Sequence, residues 1–418
     1  MNQIRTKWNK LDNAAKLFPT ASTRAETHVF RFSCELTEPI EPERLQAALD
    51  ETARCFPTFG YVLRRGVFWY YLEESRLHPE VMPEQRPLCA RLYRPRAKTL
   101  LYAVSYYGCT INLEVYHVLT DGTGAMHFLR TLVMKYLARA YDIPEENLGY
   151  ETAHTSMADD SFRRYSHRAP IKRTERPNAY QLRGAKLSES RTGLIRGTMR
   201  SRALLDAAHE KKVTLTAYLS ACIIAAIGED MPLRARKKPV VLDIPVNLRN
   251  YFASDSVRNF FTPIYVSYDF SRRDGTLDDI LAVVTETFAR ELDRDKLAEH
   301  FCAFLALEEN PIARITPLHL KDIVMRTVYH NTIKGYSATL SNIGIVRMPA
   351  AFAPYIRSFH VCNATNKLQA CVCSFGDRLS ISVTSCFTDT AVQRRLFRRL
   401  RELDSGLVIE TNLLDDDA

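Results

Sequence analysis

The stretch NLEVYHVLTDGTGAMHFLRTLVMKYL, residues 112–137, combines a strand, a turn and a helix in immediate succession. The run Thr-Asp-Gly-Thr-Gly at 120–124 is unfavourable inside a strand and typical of a turn, so the chain must turn there. Beyond the turn, apolar residues recur at helical spacing from Met126 to Leu137. The pattern predicts that His117 ends a strand and that Asp121 lies near the start of a helix. The segment is then either a capped turn or a catalytic one.

Length and composition indicate a globular protein of two or more domains. The chain has 418 residues, of which 46% are hydrophobic and 25% are charged. No window approaches the ~18–20 uninterrupted apolar residues that a spanning helix needs. The N-terminal residues carry early positive charges without the apolar core of a secretory signal. We therefore expect no membrane span and a cytoplasmic location.

The cysteines indicate buried thiols. The ten cysteines are irregularly spaced, and the only close pair, Cys371 and Cys373, lies on a predicted strand. The chain has no CxxC motif and no cysteine and histidine set at zinc spacing. Buried free cysteines usually pack as small apolar side chains. The sequence predicts neither a metal site nor a disulfide.

Positive charge is concentrated in residues 163–202, which contain thirteen Arg, Lys and His residues but only two Glu. Such a segment is either a solvated basic linker or a surface for a phosphate-bearing small molecule or an acidic partner protein. No nucleic-acid-binding motif accompanies the charge, so we expect no nucleic acid partner.

The remaining pattern divides the chain into two similar halves. We predict an N-terminal subdomain at 1–160, a basic crossover linker at 161–192 and a C-terminal subdomain at 193–418. Strands and helices alternate irregularly, with hairpins around Gly66, Gly108 and Gly376. This organisation favours the α/β class, in the form of two α+β sandwiches with mixed sheets, over one doubly wound parallel sheet. The predicted strands lie near 28–36, 192–201, 237–249, 260–270 and 336–346. The predicted helices lie near 41–56, 202–212, 216–229, 276–293 and 390–403, with a further helical stretch that ends near Asn331.

A dinucleotide-binding interpretation of the opening stretch fails. Gly122 and Gly124 match half of the glycine-rich fingerprint, but His127 occupies the position of the third glycine. No suitable first strand of a βαβ unit precedes them. What remains is H-x-x-x-D-G, formed by His117, Asp121 and Gly122.

The segment YHVLTDG, residues 116–122, resembles the HxxxDG signature of the chloramphenicol-acetyltransferase-like superfamily. That group includes alcohol acetyltransferase-like proteins, wax ester synthases, plant BAHD acyltransferases and condensation domains of peptide synthetases. Three further stretches resemble family segments in the same order. They are KLDNAAKLFP (10–19), LDIPVNLRNYFASDSVRNFF (242–261), which carries the family's arginine as Arg249, and LSNIGIV (340–346).

The resemblance implies a fold of two chloramphenicol-acetyltransferase-like subdomains with a channel between them. His117 would be the general base in that channel, since histidine has an ordinary pKa near working pH. Asp121 would pair with Arg249 and fix the turn that aims His117, and Gly122 would let the backbone pass closely. Ser341 or Asn342 would supply an oxyanion donor or line the channel. No Gly-x-Ser-x-Gly nucleophile elbow is present.

The sequence departs from family patterns at two places. Tyr116 stands where many relatives carry a first histidine, which we expect to change the channel wall. The late DFGWG segment of the plant enzymes has no counterpart, which argues against a plant-type enzyme.

The expected function is CoA-dependent transfer of an acetyl or other short acyl group to an alcohol, in a monomeric protein. Acyl-CoA would be a co-substrate, with no permanently bound cofactor, and the acceptor would be a small alcohol or amine. Two alternatives stay open. One is a condensation-type enzyme that takes its acyl group from an acyl carrier protein. The other is a degenerate, non-catalytic member that only binds a lipid or partner.

Overall fold

A computed structural model describes residues 8–12, 14–144, 165, 178–188, 191–254, 256–300 and 315–413. Most of the predicted linker 161–192 therefore lies outside the described residues, including residues 163–164 and 166–177 of the basic run. The same holds for residues 301–314 of the helical stretch predicted before Asn331.

The first half of the chain forms a small three-stranded sheet, in the order β1-β4-β3, and four strands of a five-stranded sheet. The order of the latter is β12-β2-β7-β6-β5, in which β12 (Ile356–Asn363) comes from the second half. Helices α2 and α3 pack against each other beside the larger sheet. The elements of this half are strands β1 (Trp8–Lys10), β2 (Val29–Leu36), β3 (Tyr61–Arg65), β4 (Tyr70–Glu74), β5 (Val81–Pro83), β6 (Tyr102–Tyr107) and β7 (Thr110–Tyr116), and helices α1 (Phe18–Ala21), α2 (Pro42–Cys55) and α3 (Gly122–Tyr141).

The second half forms a seven-stranded sheet in the order β10-β9-β11-β13-β14-β8-β15. Its described elements are strands β8 (Gly193–Arg200), β9 (Val240–Asn247), β10 (Phe261–Tyr268), β11 (Ala338–Ile345), β12 (Ile356–Asn363), β13 (Leu368–Phe375), β14 (Arg378–Ser385) and β15 (Val408–Thr411), and helices α4 (Ser201–Glu210), α5 (Leu215–Asp230), α6 (Leu277–Glu291), α7 (Leu318–Ile333) and α8 (Ala391–Leu403).

Both large sheets are mixed, as the sequence predicts. Strand β11 runs parallel to β9 and β13, and β5 runs parallel to β6, whereas the other pairs in these sheets are antiparallel. The predicted hairpins β3-β4, β6-β7 and β13-β14 all form. Each half has its own core of buried apolar side chains. The expected α/β class with mixed sheets is confirmed.

Strand β12 was missed by the sequence prediction, and it matters most for the junction between the halves. It follows β11 in the chain, yet it pairs with β2 and becomes the edge strand of the five-stranded sheet. Most of its side chains are buried, with only Arg357 exposed. A strand buried on both faces lacks the alternation of apolar and polar residues that makes a half-exposed strand recognisable.

Among the described residues, no single helix has the length and apolar character required to cross a membrane. In this part of the chain, the one helix pair that meets both criteria together is α4 and α5, which are joined by a bend of 87°.

Candidate active site

A pocket of about 140 Å³ lies where the two large sheets meet. His117 and the first turn of α3 form one side of it, and the last residues of β9 and β12 together with the middle of β11 form much of the rest. This placement brings together all six residues that the sequence singles out, because Arg249 bonds directly to the pocket residue Asp121. The lining residues of most interest are Phe30, His117, Asp121, Gly122, Asn247, Phe261, Ser341, Asn342 and Asn363.

Asp121 both caps a helix and holds an ion pair. Its Oδ1 accepts hydrogen bonds from the backbone N–H groups of Thr123 (3.0 Å) and Gly124 (3.2 Å), at the start of α3. Its Oδ2 accepts from Arg249 Nη1 at 2.7 Å and from the Phe260 N–H at 2.9 Å. Both side chains of the ion pair are almost fully buried. Asp121 is therefore at once the N-cap of α3 and the ion-pair partner of Arg249.

Arg249 organises the loop at 256–260. Its Nε and Nη2 donate to the Ser256 carbonyl at 3.1 and 2.8 Å, and Nη2 also donates to the Arg258 carbonyl. Its own backbone N–H donates to the side chain of Asn247. The guanidinium thus has a partner on every nitrogen, and it holds the loop against the start of α3.

That loop carries Asn259, which contacts His117 directly. Asn259 Nδ2 donates to Asp12 Oδ2 and to the His117 carbonyl, both at 3.0 Å. These two acceptors orient the amide so that its Oδ1 faces His117 Nδ1, at 3.1 Å. Since an amide oxygen only accepts, Nδ1 carries the proton and Nε2 keeps its lone pair. No described residue bonds to Nε2.

Aromatic rings surround the imidazole of His117. Phe18 stacks on it with centroids 5.0 Å apart, and Phe30 and Phe261 lie at 4.7 and 5.8 Å. Burial lowers the pKa of His117 from 6.5 to about 4, against the opposing effects of the Asn259 hydrogen bond and the Asp121 charge. The imidazole is therefore neutral at pH 7, the form in which it can accept a proton.

The glycines of the turn allow a close approach between the two halves. A Cβ at Gly122 would lie 3.1 Å from Ile343 Cδ1, which is tight. At Gly124, to which the sequence interpretation assigned no role in the site, a Cβ would overlap the Val257 carbonyl oxygen and the Thr120 hydroxyl. The first turn of α3 can meet the loop at 256–260 only because Gly124 has no side chain.

Ser341 and Asn342 differ in how their side chains are used. Asn342 Nδ2 donates to Thr216 Oγ1 at 2.9 Å, and its Oδ1 accepts from the Gly344 N–H at 2.8 Å. These bonds hold Asn342 within the bulge where β11 shifts register against β13. Ser341 also lines the pocket, and no described residue bonds to its hydroxyl.

Comparison with known proteins gives matches in structure alone. No family model matches the chain, and no curated protein matches it. Many solved structures are similar over nearly the whole chain, and three of them serve as examples. Polyketide synthase associated protein 5 from Mycobacterium tuberculosis has a TM-score of 0.60 and 14% identity, over 95% of this chain and 97% of that one.

The other two comparison structures represent two different kinds of protein. Trichothecene 15-O-acetyltransferase from Fusarium sporotrichioides has a TM-score of 0.61 and 11% identity, over 96% of this chain and 95% of that one. The first condensation domain of the calcium-dependent antibiotic synthetase has a TM-score of 0.60 and 15% identity, over 95% and 96%.

The chain has the chloramphenicol-acetyltransferase-like fold. Within this fold the pocket lies between the two lobes, and strand β12 crosses from the second half of the chain to complete the sheet of the first. The expected two-subdomain architecture is confirmed. At these identities the likeness concerns the fold alone.

Three residues that contact or position His117 were not assigned by the sequence interpretation. Asn259, Asp12 and Phe18 lie in the segments that resemble the family, but nothing in their spacing shows that they meet at His117. The expectation for Tyr116 was wrong. Its ring is buried in the first half, its hydroxyl bonds Ser22 at 3.0 Å, and it does not line this pocket.

Within the described parts of the chain, no three side chains of the metal-binding types converge on a common point. The nine described cysteines are free thiols, and seven of them are buried.

Proposed function

We propose that this protein transfers an acetyl or other short acyl group from a CoA thioester to the hydroxyl of an alcohol, with His117 as general base. The observation that carries the proposal is the bond between His117 Nδ1 and Asn259 Oδ1, which leaves Nε2 as the free base of a neutral imidazole. A base in this form takes the acceptor proton as attack occurs. The fold, which acetyltransferases and condensation domains share, supports the same class of reaction.

In the proposed reaction the acceptor oxygen attacks the thioester carbon while Nε2 of His117 takes the hydroxyl proton. The resulting tetrahedral oxyanion needs a hydrogen-bond donor. Of the two candidates, Ser341 is the better one, because the amide of Asn342 is already bonded to Thr216. Collapse of the intermediate breaks the carbon–sulfur bond, and the thiolate that leaves takes the proton back from His117.

Asp121 and Arg249 have a positioning role in this proposal. Their ion pair holds the loop that carries Asn259, and Asn259 holds His117. A carboxylate that already accepts bonds from Arg249, Phe260 and the start of α3 is not available to a substrate.

The test is an acyl-transfer assay on the purified protein. Acyl-CoAs of increasing chain length are combined with a panel of alcohols and amines, and release of free thiol is followed. We expect turnover with short acyl-CoAs, and we expect His117→Ala to lose about 10²–10⁴ in rate, as is typical when a general base is removed. His209→Ala is the matched control, since this exposed histidine on α4 lies outside the pocket.

The same assay discriminates the alternatives. If turnover occurs only when the acyl group is attached to a carrier protein, the acyl donor is the carrier-bound group and not acyl-CoA. A folded protein with no turnover from any donor would refute the enzymatic proposal and favour a binding role.

A further inference from the structure

Asn363 differs from Asn247 and Asn342, the two other asparagines among the described residues that line the pocket. It is the last residue of β12, and it lines the pocket together with His117. Its Oδ1 is enclosed by protein, and no described residue donates a hydrogen bond to it. By contrast, Asn247 Oδ1 accepts from the Arg249 N–H, and Asn342 Oδ1 accepts from the Gly344 N–H.

An enclosed acceptor without a donor destabilises the folded protein. Leaving a buried polar group unpaired destabilises the folded state, and buried polar groups in native proteins nearly always have a partner. The residues before Asn363 on β12, Val361 and Cys362, are buried and less polar, and both also line the pocket. An apolar residue would therefore satisfy this position better if folding were its only role.

We propose that Asn363 Oδ1 accepts a hydrogen bond from an N–H or O–H group of a substrate bound beside His117. The inference rests on the proposed acyl transfer and specifies what the pocket recognises: a substrate with a hydrogen-bond donor close to its reacting atoms. Two substrates of that reaction offer such a group. The thiol arm of CoA carries an amide N–H two methylene groups from the sulfur, and an acceptor can carry a second hydroxyl or an amine.

The main test is Asn363→Leu, which keeps the approximate size of the side chain and removes the acceptor. Loss of one hydrogen bond to a substrate weakens binding by about 0.5–1.5 kcal/mol, so KM for one substrate should rise roughly 2- to 13-fold. The value of kcat should change little, because His117 is untouched. The midpoint of thermal unfolding should stay the same or rise, because an unpaired group has been removed.

Asn112→Leu is the matched control for stability. Asn112 is a buried asparagine on β7 whose Oδ1 accepts from Ser33 Oγ at 2.6 Å and whose Nδ2 donates to Glu84 at 3.0 Å. The same substitution there leaves the Ser33 hydroxyl and the Glu84 carboxylate without this hydrogen-bond partner, so it should lower the midpoint of thermal unfolding. Asn363→Ala serves as a second variant if the larger side chain disturbs folding, and the same rise in KM is expected.

Acyl thioesters with and without the amide show which substrate provides the hydrogen bond. If the CoA arm provides it, Asn363→Leu should raise KM for acyl-CoA and for S-acyl-N-acetylcysteamine. The KM for an alkyl thioester that lacks the amide should stay the same. If the acceptor provides it, KM for the acceptor should rise with every donor.

Two results would overturn the inference: unchanged KM values for both substrates in both Asn363 variants, or a loss of stability in Asn363→Leu as large as that of Asn112→Leu. An inactive wild-type protein would instead refute the acyltransferase proposal itself. Wild-type activity together with unaffected Asn363 variants would refute only the role of Asn363.

Discussion

Asn259 determines which nitrogen of His117 carries the proton, because its own amide nitrogen is committed to Asp12 and to the His117 carbonyl. The aromatic side chains around the imidazole then determine its charge. Phe18 covers one face of the ring, and removal of water from an imidazole disfavours the protonated form. Tautomer and charge are thus set by different neighbours, and each can be changed separately.

The pH dependence of kcat/KM tests the charge state. Because the pKa of His117 is lowered to about 4, the neutral base persists as the pH falls from 8 to about 5, and the rate should be lost only as the pH falls through about 4. An ordinary histidine would begin to lose activity near pH 6.5. Phe18→Ala opens one face of the ring to water, so the acidic limb should move to higher pH. A wild-type limb near pH 6.5, or one that Phe18→Ala does not move, would contradict burial as the cause.

At the scale of elements, the ion pair of Asp121 and Arg249 joins the start of α3 to the loop at 256–260. Removing either partner leaves the other charge buried and unpaired, which costs about 3–5 kcal/mol. Asp121→Ala and Arg249→Ala should therefore each lower the free energy of unfolding and the activity, whereas His117→Ala should lower activity alone. The double variant should lose less than the sum of the two single losses.

Denaturant titration of the four proteins measures this coupling. Asp206→Ala is the control, because its pair with Arg202 on α4 is exposed and should change stability by less than about 1 kcal/mol. Additive losses in the cycle would mean that Asp121 contributes only as a helix cap, and an Asp121→Ala protein as stable as the wild type would contradict both the ion pair and the cap.

Local patterns account for what the sequence predicts well. Helices α2, α6 and α8 and the three hairpins repeat apolar and turn residues over short distances, and all of them form. Strand β12 lacks such a pattern, because burial on both faces removes the alternation. The partners of His117 could not be predicted either. Asn259 is 142 residues away along the chain, and no local pattern records a contact of that separation.

At the scale of the whole molecule, β12 connects the two halves. Its His360 bonds Ser380 Oγ of β14 through Nδ1 at 2.8 Å, and its Phe359 carbonyl accepts from Cys373 of β13. Its edge pairs with β2 along the length of the strand. The division of the chain at 160 and 192 stays a prediction. The contacts of β12 nevertheless make independent unfolding of the two halves costly, since either half would lose a strand or its covering layer.

We therefore expect one cooperative unfolding transition for the whole chain. Phe359 is fully buried on β12 and packs edge-on against Phe375 of β13, with centroids 5.4 Å apart. Phe359→Ala should cost about 3–5 kcal/mol and lower the midpoint of that single transition. Leu45→Ala in the first core and Ile224→Ala in the second should shift the same transition, which calorimetry and circular dichroism can follow together. If the halves unfolded independently, two transitions would be seen, and Leu45→Ala and Ile224→Ala would each lower only one of them. Because β12 belongs by sequence to one half and by pairing to the other, Phe359→Ala distinguishes these outcomes most sharply.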